Sequence, residues 1–549
     1  MIARTDKELV AADNDDWIAS VTSRQIVWAF AALFLLNLLL RVFYLRYDFV
    51  NGDEGVRALT AIRMLDGAQL YRDVVTDKPP GTTLFYAMVF ALFGRSMKAV
   101  HLAAAFWNFI TAIFIYLTAT LAYSKRIGLW AAFLFVYFST NYFTQDMMAA
   151  NTELLMILPY TASLYFFLRA SRERDRNVLL IVAGLMTGLA VMFKQVGVLN
   201  LLFFGLYELF EIYKTRKILK TNWIRKSSVR LIARLSLIAL GFALVIAAFV
   251  LWLVATGALA DFWRNAVEIN MFYIDSEQPN LWIKFMIGRG LGYVLFNLAL
   301  WSLAAWTIVR SLDSKSDFNL TITLWGATAL VSVLMSGRFF GHYFITVLPA
   351  LSLLAAPAAR QLEIYLRDGK AKLAATALAL FFLIGFVRAH HRTAILAYET
   401  LTGARTRWSE AWGMTERQRE AEQVKEALRD RLEFGEPLYI WGYAHDVYWR
   451  TGCRPASRYL VPYYIDGRFP DAESVLAPPD APFWKETRAN FIEDLRRTRP
   501  RLILDISGKM DDLPYPEIVK FIKENYRDEG RILADPQRPF RVLRLKDDG

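Results

Sequence analysis

Long apolar runs separated by short polar connections dominate the first two thirds of the chain. About eleven of them are long enough to cross a bilayer: 26–45, 97–123, 127–145, 152–169, 178–193, 196–213, 231–256, 287–310, 319–336, 339–358 and 372–389. The run 82–93 is apolar but short, and it predicts an interfacial helix rather than a span. Beyond residue 391 the pattern changes. The tail is charged and richer in proline, and it alternates strand-like with helix-like pieces. Pro437–Trp441, 501–506 and Phe540–Leu545 predict strands, and 516–526 predicts an amphipathic helix. The expected fold is a polytopic α-helical membrane protein of about eleven transmembrane helices with a C-terminal α/β soluble domain. Its parts are an N-terminal segment 1–25, a membrane domain 26–391 with a first outer loop 46–96, and the soluble domain 392–549.

Composition agrees with this reading. The chain is 55% hydrophobic and 15% aromatic, with a mean hydropathy of +0.27. Its net charge of +12 sits in short clusters between apolar runs, so it is a topology signal and not a nucleic-acid footprint. With 82–93 left at the surface, the basic loops all fall on one side. They are Lys125 and Arg126; Arg169, Arg172, Arg174 and Arg176; 214–234; Arg310 and Lys315; and Arg360, Arg367, Lys370 and Lys372. The positive-inside rule makes that side cytoplasmic. The loop 46–96, the turn 145–151, the loop 257–284 and the soluble domain then face outward. The single cysteine, Cys453, excludes an intrachain disulfide, and no Cys/His cluster has zinc spacing. The first 20 residues lack the order of a cleaved signal, so 26–45 is expected to be retained.

Several outward-facing residues do not suit a membrane boundary. Asp53 and Glu54 follow the first span in Asn51-Gly52-Asp53-Glu54-Gly55, and Asp77-Lys78-Pro79-Pro80-Gly81 comes shortly after. Asp146 and Glu153 flank the turn between the third and fourth runs. Lys194 interrupts an apolar stretch, and Arg338 and His342 lie at another outer turn. Each has a plainer reading. Asp53 serves as a helix cap, Glu54 as a structural partner, Lys194 and Arg338 as chains reaching headgroups, His342 as a packed ring, and Asp146 and Glu153 as ion-pair partners across the bundle. Taken together they support more. Cations from several helix ends surround a phosphate, a nearby carboxylate deprotonates an incoming hydroxyl or amine, and the spans offer a groove for a lipid tail. No Gly-rich phosphate loop occurs. The reaction suggested is transfer from a lipid phosphate to an acceptor outside the cytoplasm.

On these motifs, with Phe193-Lys194-Gln195 and Gly337-Arg338-Phe339-Phe340-Gly341-His342-Tyr343-Phe344, residues 25–390 resemble a GT-C-fold glycosyltransferase of the protein mannosyltransferase and aminoarabinose transferase type. The resemblance implies an inverting transferase that uses a polyprenyl-phosphate sugar at the outer face of the cytoplasmic membrane. It implies a catalytic carboxylate at Asp53 and substrate binding by Lys78, Lys194 and Arg338, and the setting of the residues themselves adds Glu54 as a second catalytic candidate and Asp146 and His342 as substrate-binding candidates. It leaves a divalent metal at the acidic loop open, and glycan, lipid or protein as the acceptor. The alternatives are a flippase or transporter, or a polymerase or ligase, of lipid-linked sugars. A transporter predicts an internal repeat and charged, broken helices near the midplane, and neither is visible in the sequence.

Overall fold

The computed structural model describes residues 21–142, 144–172, 177–218, 223–275, 279–314, 316–367, 372–404, 406–410, 412–468, 481–506, 510–533 and 539–546. Of the residues named above, Arg174, Arg176, Lys315, Lys370, part of 214–234 and most of the segment 1–25 lie outside the described residues. The chain is a multi-span helical membrane protein with a small sheet domain toward its C-terminal end. The main helices are α1 (Ser23–Leu39), α2 (Gly52–Leu65), α3 (Gly81–Phe93), α4 (Met97–Thr120), α5 (Lys125–Phe138), α6 (Thr152–Arg172), α7 (Asn177–Phe193), α8 (Leu199–Ile218), α9 (Trp223–Ala255), α10 (Leu298–Ser314), α11 (Asp317–Leu334), α12 (Leu348–Arg367) and α13 (Lys372–Thr402).

Among the described residues, 6 helices are long and apolar enough to cross a membrane, or up to 8 if each bent pair is one span. The sequence predicts about eleven, and the difference has local causes. The run 127–145 forms only the 14-residue α5, and 178–193 forms the 17-residue α7. The run 287–310 is broken at Asn297, where the two helical halves meet at 80°. There the Asn297 side chain donates to the Tyr293 carbonyl at 2.9 Å, beside its own interrupted backbone. The run 339–358 is not one helix either. Phe339 adopts a φ of 51°, a 3₁₀ turn follows at Gly341–Thr346, and only then does α12 start. A hydropathy window averages over such breaks. The short run before α4 is a helix of 13 residues, α3. α7 and α9 cross at very close range. A Cβ on Gly184 would stand 2.0 Å from the Ile238 carbonyl oxygen, and one on Gly241 would stand 2.0 Å from that of Ile181. Small residues at such crossings let backbones touch in lipid.

α13 extends past residue 391 to Thr402, but it bends by 55° between Arg388 and His390, just before the expected boundary. Next come α14 (Gly413–Leu428), β1 (Pro437–Trp441), α15 (His445–Thr451), β2 (Arg454–Pro455), α16 (Pro482–Thr498), β3 (Leu502–Asp505), α17 (Pro516–Asn525), β4 (Tyr526–Ile532) and β5 (Phe540–Leu545). The sheet order is β2-β1-β3-β5-β4. β1 runs parallel to β2 and β3, and β5 is antiparallel to β3 and β4. Alternate side chains of β1 enter two different cores. Tyr439 and Trp441 pack with Phe491, Ile518 and Phe521 of α16 and α17. Leu438 and Ile440 join Leu59, Leu70, Tyr71 and Val74 of the first outer loop. Burying the second sheet face on that loop seats the domain on the membrane bundle.

Candidate active site

The site starts at the N-terminus of α2. The Asn51 side chain accepts the Glu54 N–H at 3.3 Å and caps the helix, and acids in this first turn are favoured by the helix dipole. Successive helical residues point about 100° apart, so two adjacent acids meet different surroundings. Glu54 is fully buried. Its carboxylate accepts the N–H groups of Val50 at 2.7 Å and Ala150 at 2.8 Å, and faces His101 Nε2 at 3.0 and 3.1 Å. It ties the outer loop to the turn before α6 and to α4. The expectation of a second catalytic acid at Glu54 does not fit this placement, because every direction of its carboxylate is already used. Asp53 instead is exposed and lines a cavity of about 330 Å³. Among the described residues it makes no hydrogen bond or ion pair.

One wall of that cavity comes from the same outer loop. Arg57, one turn after Asp53, donates from Nη1 to the Thr76 hydroxyl at 3.0 Å and lies 3.9 Å from Asp77. Asp77 also pairs with the neighbouring Lys78. Burial would raise the Asp77 carboxyl, but the charges of Lys78 and Arg57 outweigh it and hold the group below the usual carboxylate range. The glycine ending this motif has a steric reason. A Cβ on Gly81 would sit 2.6 Å from the Met192 carbonyl oxygen at the end of α7. That contact brings the Asp77-Lys78 segment close to Lys194, two residues further along.

The opposite wall comes from the bundle. Lys194 pairs with Glu153 at the start of α6, and its Nζ lies 3.9 Å from the Tyr343 ring centroid. Glu153 also accepts the Thr152 hydroxyl at 2.8 Å. His342 stands between two acids, with Nε2 3.9 Å from Glu153 and Nδ1 4.0 Å from Asp146. Burial pushes the Asp146 carboxyl up, and the negative charge of Asp53 adds to that. Arg338 is not in the wall. It is buried with its guanidinium 5.2 Å from the Tyr273 ring centroid, and Tyr273 is the residue that reaches the cavity. The Arg338 carbonyl accepts from Arg289 at 2.9 Å, which braces the turn that presents His342 and Tyr343. The third side comes from the soluble domain, through Tyr443, Val461 and Tyr463.

Of the seven site residues named from sequence, five share one cavity: Asp53, Lys78, Asp146, Lys194 and His342. Glu54 and Arg338 stand behind it. Arg57, Asp77, Glu153 and the tyrosines were not on that list. Arg57 carried a signal, since it lies four residues from Asp53 on the same face of α2. Asp77 lay inside a motif already singled out. The tyrosines of the soluble domain carried none, because only the tertiary fold brings them here. Among the described residues, no three His, Cys, Asp or Glu side chains group as a metal ion would require. With Glu54 turned away, the donor set does not fit the divalent ion that the acidic loop had left open. The arrangement offers one unpaired carboxylate beside cations, each of which shares its charge with an acid.

A family model for dolichyl-phosphate-mannose-protein mannosyltransferases matches residues 77–252. No curated protein matches the chain in sequence. In three dimensions the chain is similar to ArnT from Cupriavidus metallidurans bound to undecaprenyl phosphate, with a TM-score of 0.56 and 14% identity over 95% of this chain and 98% of that one. The apo state of the same protein gives 0.57 and 14% over 95% and 98%. The Archaeoglobus fulgidus oligosaccharyltransferase tethered with an acceptor peptide gives 0.51 and 12%, over 96% of this chain and 74% of that one. At these identities the likeness establishes the fold, which is the GT-C arrangement the motifs had led us to expect.

Proposed function

We propose that this chain is an inverting glycosyltransferase that moves a sugar from a polyprenyl-phosphate donor to an acceptor hydroxyl or amine at the outer face of the cytoplasmic membrane. The observation that carries the reading is the unpaired Asp53 facing a cavity with Lys78 and Lys194. The fold supports it, since ArnT shares that fold and has been captured with undecaprenyl phosphate.

In this mechanism the polyprenyl tail lies along the apolar spans and its phosphate meets Lys194 and Lys78, with Arg57 behind. Glu153 and Asp77 hold the two lysines in place until the phosphate arrives. The acceptor enters beneath the soluble domain. Asp53 takes its proton as the acceptor atom bonds to the anomeric carbon, from the side opposite the phosphate. The anomeric carbon–oxygen bond breaks and its electron pair leaves with the phosphate, which gains charge in the transition state. Preorganised cations stabilise that charge. Attack from the opposite side inverts the anomeric centre. Glu54 keeps a structural role, anchoring the turn from which Asp53 projects.

The test is release of polyprenyl phosphate by the purified chain supplied with a polyprenyl-phosphate sugar and a cell-envelope acceptor extract. Asp53→Asn is expected to slow release by about 10²–10⁴-fold while donor binding persists. Undiminished release by a folded Asp53→Asn protein overturns the assignment.

A further inference from the structure

The soluble domain does more than cover the cavity. Its strands β2, β1 and β3 lie side by side and run parallel, and in parallel sheets ligands bind where loops leave the carboxyl ends of the strands. The two loops that reach the cavity are those loops. Gly442 to Ala444 follow β1, and 456–462 follow β2. The first presents Tyr443, and the second presents Val461 and leads directly to Tyr463, the first residue of a short helix.

Both loops are locked to each other and to the catalytic side. The His445 ring meets the Leu460 carbonyl at 3.1 Å, joining the loops. The Val75 N–H donates to the Arg458 carbonyl at 2.9 Å, two residues before Asp77. Gly55 faces His445 so closely that a Cβ there would lie 2.5 Å from the His445 Cβ. Tyr443 is therefore held two residues from a contact on α2 that is itself two residues from Asp53. Tyr443 remains 49% exposed, whereas its neighbours His445 and Val461 are buried. Tyr463 is backed by Tyr464, with ring centroids 4.6 Å apart. Among the described residues, no cation of the soluble domain lines the cavity. A rigid, half-open aromatic pair with hydroxyls, beside a carboxylate in a cavity of about 330 Å³, suits one flat-faced polyhydroxylated ring.

We infer that Tyr443 and Tyr463 form a sugar-ring subsite in which the soluble domain holds a saccharide against Asp53. The inference rests on the proposed function and adds that a carbohydrate ring, rather than an extended peptide hydroxyl, contacts this wall.

The test uses the full chain in phospholipid nanodiscs free of glycoside detergent. Methyl glycosides serve as probes in saturation-transfer NMR. Wild type is expected to give ring-proton contacts, with Tyr443→Ala and Tyr463→Ala each weakening apparent affinity roughly tenfold. Tyr443→Phe, which keeps the ring, is expected to stay within a few-fold of wild type, and thermal melting checks that all variants are folded. Loading with a polyprenyl-phosphate hexose separates two sources of the ring. Displacement of the glycoside assigns the subsite to the donor's sugar, and simultaneous binding assigns it to a glycan acceptor. Equal glycoside signals from wild type and Tyr443→Ala, or no signal from wild type, overturn the subsite. Asp53→Asn is expected to keep the glycoside signal while losing transfer. A failure of the subsite is thus distinct from a failure of the assignment of Asp53.

Discussion

Two clusters of charge sit at opposite ends of the helical bundle, and they are built differently. At the end away from the cavity Glu363 is surrounded. Arg126 pairs with it, the Trp130 N–H donates to it at 2.9 Å, and Arg360 and Arg367 reach it at 3.1 and 2.9 Å. Every acceptor direction of that carboxylate is filled. At the outer end three acid–cation pairings exist as well, but Asp53 stands among them without one. Cations and acids at helix ends are thus not in themselves a sign of chemistry. An acid left open among satisfied neighbours and facing a cavity is a better one, because its carboxylate is free to take up a proton.

The contrast can be broken by substitution, and the largest effect is expected within the Asn51–Gly55 motif itself. Glu54→Gln removes a buried charge held by two N–H groups and His101, and should cost about 3 kcal/mol of stability. Asp53→Asn should change stability by less than about 0.5 kcal/mol. Thermal melts of the two proteins side by side measure this, and equal losses would erase the distinction between the adjacent acids. Next, Glu363→Gln should cost about 2 kcal/mol, because it removes the charge shared by Arg126, Arg360 and Arg367, yet leave kcat and KM for transfer unchanged. A fall in kcat of the folded protein would tie the Glu363 cluster to the reaction. Lys194→Ala should raise KM for the lipid donor roughly tenfold, or about 1.4 kcal/mol, and should lower kcat less. An unchanged KM would reduce Lys194 to a partner of Glu153.

The smallest effect concerns pH. The Asp146 carboxyl is raised, so it loses its charge at a higher pH than an ordinary aspartate. As pH falls through that raised value the cavity becomes less negative and an anionic phosphate binds more tightly. Donor KM should therefore drop a few-fold on the acidic side, and Asp146→Asn should flatten the step and lower KM at neutral pH. A step of the same size in the Asp146→Asn protein would transfer it to another group.

The legible parts of the molecule were those written in local pattern. Short runs of branched and aromatic apolar residues marked β1, β3 and β5, and helical spacing marked α17. Strand β4, Tyr-Arg-Asp-Glu-Gly-Arg-Ile, escaped because an edge strand with polar faces lacks such a run. Asp53, Lys78, Asp146, Lys194 and His342 stood out because charge at a membrane boundary is conspicuous wherever it falls. Sequence adjacency could not separate Asp53 from Glu54, since only the helix rotation and the position of Ala150 and His101 decide which acid is enclosed. Arg338 looked like its neighbour His342, yet the left-handed turn at Phe339 sends the two side chains to different places. Tyr443 and Tyr463 lie 390 and 410 residues from Asp53 in the chain, and no window of sequence joins them.

The tight fit of Gly55 against His445 has a mechanical consequence. The helix bearing Asp53 and the C-terminal domain meet with no slack, as two gears share a tooth. A ligand that tilts the domain must therefore also displace Asp53, and a single methyl group at residue 55 would act as a wedge that throws both out of alignment without touching either substrate.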